Sequence, residues 1–161
     1  MTGLATSLAL FFYSVLSIPF LALTIYESVP QYGATDIAQD PKITIQFTKP
    51  ITLVKKTTAT NPLFYVQIGT QVPVSFTAEQ AVTTVGRTTI VIDLYEALHA
   101  SLPASTRIRF YFGTGLSTPV VADDGSTLVQ APFVDGETPR SYLTFYTGEG
   151  IGSSPFSHLL S

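Results

Sequence analysis

The chain has no cysteine and no tryptophan, one methionine, two histidines and few charges among its 161 residues. Without thiols, neither a disulfide framework nor a thiolate metal site is available, and cysteine usage does not mark the redox compartment. Lys and Arg total 8 against 11 Asp and Glu, a net charge of −3, and Lys55-Lys56 is the one adjacent basic pair. That balance excludes nucleic acid as a partner, because phosphate binding needs clustered cations to displace counterions. The single asparagine, Asn61, precedes Pro62, so no N-glycosylation acceptor exists. No charged side chain occurs before Glu27, and no basic one before Lys42.

The uncharged opening is a run of 22 mainly apolar residues, Leu4 to Ile25. It is too long and too evenly apolar to be a helix that buries one face on a small core. As a helix it would extend about 33 Å, enough to cross a bilayer. Three readings stand: a secretory signal, a membrane anchor, or a helix that packs with copies of itself. A signal would carry a basic n-region, a shorter apolar stretch and a small-x-small cleavage site, none of which is present in good form. An anchor would have flanking basic residues and aromatics at its ends, whereas Phe11, Phe12 and Tyr13 fall mid-segment. Small residues at Gly3, Ala5, Ser7, Ala9, Ser14 and Ser17 allow close helix approach, and Pro19 is tolerated where other helices surround it. The expected assembly positions are Leu4, Leu8, Phe11, Phe12, Val15, Leu16, Phe20 and Leu23. The start Thr2-Gly3-Leu4-Ala5-Thr6, leading into an uncharged apolar stretch, resembles the N-terminal helix of archaeal type IV pilins and archaellins. That resemblance implies a helix held in the membrane before assembly and enclosed in a filament afterwards. The basic leader of that family is missing, and Ala5 stands where bacterial type IV pilins carry glutamate.

Beyond the opening the period of the sequence changes to two. Ile43, Ile45 and Phe47 alternate with Lys42, Thr44, Gln46 and Thr48, the pattern of a half-buried strand, and Pro50 ends it. Further strands are expected at 64–68, 72–76, 88–94, 107–112 and 141–147, with a helical turn in 94–102. Punctuation by Gly, Pro and Asp favours an antiparallel sandwich. Thr and Ser number 23 and 14, which implies a neutral, hydroxylated surface suited to O-linked sugars, although Thr is also a good strand residue. The words Gly33-Ala34-Thr35-Asp36-Ile37, Ile43 through Ile51, and Ala122-Asp123-Asp124-Gly125-Ser126-Thr127-Leu128 resemble SbsA-type Ig-like domains of surface-layer and other cell-surface proteins. The resemblance implies a seven-strand sandwich concerned with adhesion, spacing or assembly.

The expected fold is therefore a long hydrophobic N-terminal helix (1–26), an all-β Ig-like sandwich (27–147) and a Gly/Ser-rich tail (148–161). The tail's Ile151, Phe156, Leu159 and Leu160 are suited to docking on a neighbouring copy, or to a frayed end. No catalytic set stands out: His99 and His158 have no acidic or nucleophilic residue at a suggestive spacing. No cofactor or metal is expected. Asp123-Asp124-Gly125 lacks the further acids of a calcium loop and reads as a turn with Gly125 at positive φ; Asp36 and Asp40 are weighed the same way. Gly113-Thr114-Gly115 has no following helix to cradle a phosphate. Arg107 and Arg109 share one strand face and are the candidate subunit contacts. The expected function is a structural subunit of an extracellular filament like an archaeal type IV pilus, with its own copies, the membrane and surface glycans as partners. The alternatives are a membrane-tethered Ig-like adhesion module, or a filament built by strand donation.

Overall fold

The computed structural model describes residues 22–150. Thirteen strands follow in order: β1 (Ile25–Val29), β2 (Ala34–Ile37), β3 (Lys42–Phe47), β4 (Ile51–Leu53), β5 (Phe64–Ile68), β6 (Val74–Phe76), β7 (Val82–Val85), β8 (Thr89–Asp93), β9 (Arg107–Phe112), β10 (Val120–Ala122), β11 (Phe133–Asp135), β12 (Thr138–Arg140) and β13 (Leu143–Thr147). Two short helices, α1 (Ala78–Ala81) and α2 (Leu94–Leu98), sit at strand ends. Asp93 caps α2 by accepting the Glu96 amide.

Four strands form one sheet in the order β1-β3-β8-β7, and five form the other in the order β2-β13-β9-β5-β6. Every strand pairing in them is antiparallel except β2 with β13. Two small ribbons, β4 with β10 and β11 with β12, complete the strand pairing. The alternation seen in the sequence is the reason the layers close. Ile43, Ile45, Phe47, Ile90 and Ile92 from one sheet face Phe64, Val66, Ile108, Phe110, Phe112, Leu143 and Phe145 from the other, all buried. Phe47 meets Phe112 across the layers at 6.3 Å between ring centroids, and Phe112 stacks on Phe133 at 5.7 Å.

The expectation of a long hydrophobic N-terminal helix ahead of the sandwich is corrected. Among the described residues no helix is long and apolar enough to cross a membrane. Residues 22–26, the last stretch of that expected helix, belong to the β domain instead. Leu23 is fully buried and forms a parallel bridge with Leu128; its N–H donates to the Thr127 carbonyl at 3.2 Å, and its carbonyl accepts from the Val129 N–H at 3.1 Å. Ile25 then pairs with Phe47 on β3. The physical reason is that these apolar residues have a β core to enter, where ladder bonds satisfy the backbone as fully as a helix would. Leu4, Leu8, Phe11, Phe12, Val15, Leu16 and Phe20 lie outside the described residues. So do His158 and the tail's Ile151, Phe156, Leu159 and Leu160, whereas Gly148 is tied in by bonds to Ile37 and Ser105.

Candidate functional site

The outward rows of the five-stranded sheet bring together the most unusual side chains of the fold. On β9 the residues between Ile108, Phe110 and Phe112 are Arg107, Arg109 and Tyr111, which the alternation turns away from the core. Register supplies their neighbours: Tyr65 lies opposite Tyr111, Gln67 and Thr144 flank Arg109, and Tyr146 lies opposite Arg107. The Tyr65 and Tyr111 rings are parallel within 6° and stacked at 5.0 Å. The Arg109 guanidinium carbon sits over the Tyr142 ring, 4.7 Å from its centroid, a cation–π contact. Tyr32 approaches Tyr142 at 6.3 Å from the β2 side.

Two features set this face apart from a merely solvated sheet. Neither Arg107 nor Arg109 has a carboxylate within ion-pair distance among the described residues, and the Nε of each is covered without an acceptor. Thr144, only 5% exposed, has its hydroxyl enclosed beside the Tyr32 phenol without a well-formed hydrogen bond. Most buried polar atoms in folded proteins are paired, so the cluster is the candidate site of the described fold, although a covered Nε also occurs at Arg140, which pairs with Asp135. Burial raises the Tyr32 phenol above its ordinary pKa, and the adjacent Tyr142 hydroxyl adds to the effect. Burial likewise raises Tyr111, with Tyr65 beside it. These phenols stay neutral donors throughout the physiological range.

The other candidates resolve differently. Gly125 adopts φ 86° in the expected turn. Asp123 accepts from Thr52 Oγ1 at 2.6 Å and pairs with Arg87 at 2.8 Å, while Asp124 pairs with Lys49 at 2.9 Å and accepts from the Ser126 hydroxyl and amide. Among the described residues no three potential ligands converge as a metal would need. Hydroxyl donors first, then the cations, hold both carboxyls below their usual range. The linkage sign follows: a depressed carboxyl stabilises the fold above about pH 4, and that contribution fades as pH falls toward the depressed value. Asp124→Asn is therefore expected to lower the urea midpoint at pH 7, with the gap from the native chain narrowing below about pH 4. A gap independent of pH contradicts the pairing.

His99 is the C-cap of α2 with φ 56°, a structural position. A groove of about 300 Å³ runs beside β1 and is lined by Ile25, Tyr26, Glu27, Tyr32, Phe133 and Val134 among others. Sequence reasoning singled out Arg107 and Arg109 but missed Tyr65, Tyr111, Tyr142 and Thr144. Only strand register, which no local pattern encodes, assembles them.

Compared with known families, residues 21–132 match the bacterial Ig-like domain. No curated protein matches the chain.

Proposed function

Because the chain belongs to the bacterial Ig-like domain family, we propose that it is a non-catalytic recognition module of the cell surface, working through the tyrosine and arginine rows of its five-stranded sheet. The observation that supports this most is the pair of guanidiniums, Arg107 and Arg109, without an ion-paired carboxylate among the described residues on a chain of net charge −3. The sandwich is a scaffold on which many functions are built, so this face is the basis of the reading. In the test, full-length chain carrying Arg107→Gln and Arg109→Gln is compared with the native chain for binding to isolated cell envelopes. The double variant is expected to bind at least about tenfold more weakly, the order of a lost charge-assisted hydrogen bond, with unchanged circular dichroism. Equal binding rules out this face as the working surface. Antibody labelling of intact cells checks the placement, and label that reaches the chain only after lysis overturns it.

A filament built by strand donation has one support of its own. β1 is a sheet edge, with exposed Tyr26 and Val29, next to the groove lined by Phe133 and Val134. Sedimentation of the purified chain separates the readings: a fibre pellets, a module remains a small particle.

A further inference from the structure

Resting on that reading, we infer that the ligand of the tyrosine and arginine face is an acidic polysaccharide, one whose sugar rings bear carboxylates. Charge complementarity supplies the first argument. Arg107 and Arg109 are two residues apart on one strand, so their backbone positions are about 7 Å apart, and no acid of this chain neutralises either among the described residues. A guanidinium already held over a ring, as Arg109 is over Tyr142, loses less freedom when it receives a carboxylate than a free one would. The second argument concerns what surrounds the cations. The rows offer phenols from Tyr65, Tyr111, Tyr142 and Tyr146 and the Gln67 amide, a set of neutral donors and acceptors suited to a polyhydroxylated chain.

An acidic peptide fits less well. β9 lies inside the sheet with β13 and β5 on either side, so its backbone groups are committed to the ladders and the strand that carries the arginines cannot itself receive an added strand. Tyrosine and arginine also serve protein interfaces, so the choice of a polysaccharide rests on the committed β9 backbone and on the neutral hydroxyl and amide groups around the cations, and the poly-L-glutamate gel decides it.

The test is affinity electrophoresis of the full-length chain through native gels containing polygalacturonate, dextran or poly-L-glutamate. Polygalacturonate is expected to retard the native chain, less so as salt rises, and dextran is not. Arg107→Gln with Arg109→Gln is expected to weaken retardation at least about tenfold. Tyr142→Ala, which leaves every charge in place, is expected to weaken it several-fold, and Lys55→Gln with Lys56→Gln, a pair on an exposed loop, not at all. Equal retardation by dextran, equal retardation by poly-L-glutamate, an equal loss in the lysine variant or no retardation by any polymer each overturns the inference. If envelope binding still requires Arg107 and Arg109 while polygalacturonate has no effect, the ligand class is wrong and the recognition-module reading stands. If the arginine variant binds envelopes normally, that reading has failed by itself.

Discussion

A chain beginning at Glu27 is expected to unfold at far lower urea than one beginning at Ala22. The shorter chain loses Leu23, fully buried among core residues, and with it the two backbone bonds that tie this segment to Thr127 and Val129. It also loses the hydrogen bonds between Thr24 and Thr48 and the pairing of Ile25 with Phe47. Replacing a buried leucine by alanine costs about 2–5 kcal/mol, so Leu23→Ala alone is expected to cost about 3 kcal/mol. Folded domains are stable by only about 5–15 kcal/mol, and adding the broken strand brings the truncated chain to the edge of unfolding. Tyrosine fluorescence or circular dichroism in urea measures the difference. Equal midpoints for the two chains are incompatible with Leu23 being a core residue.

Gly113→Ala is the second substitution with a large expected effect. Gly113 follows β9, where a Cβ would collide with the Ser117 carbonyl oxygen and lie 2.8 Å from the Leu63 carbonyl oxygen. Neither obstacle yields easily: the Gly113 N–H donates to Leu63 at 2.8 Å, and the Leu63 N–H donates to Ser117 at 3.0 Å, so three backbone segments are bound together. A loss of about 3 kcal/mol is expected, the upper end for forcing one carbon into packed surroundings. Gly125 makes the comparison. Its φ of 86° disfavours alanine, but its Cβ position is open, so Gly125→Ala is expected to cost only about 1–2 kcal/mol. Similar urea midpoints for the two variants contradict steric exclusion at Gly113.

Strands that alternate strictly are legible in the sequence by itself. β3, β5 and β9 lie within a residue of where period-two reasoning puts them, because each has one face on the core and one in water. β1 is concealed by its neighbourhood. Leu23 and Ile25 continue an apolar run, and the irregular register between Ile25 and Glu27 breaks the alternation that would reveal the strand. β4, β10, β11 and β12 have three residues each, too few to show a period. The shared face of Arg107 and Arg109 follows from their spacing on one strand. The tyrosines around them do not, since they come from segments joined only by long-range pairing, as the stacked Tyr65 and Tyr111 illustrate.

The one parallel pairing between strands has a mechanical meaning. Among the described residues β2 follows directly on the first strand and β13 is the last, and they run side by side in the same direction. Tension on the two described ends would load β1 against β3 first and then draw β2 along β13 lengthwise, so that the bonds of that last pair would share the load instead of opening one after another.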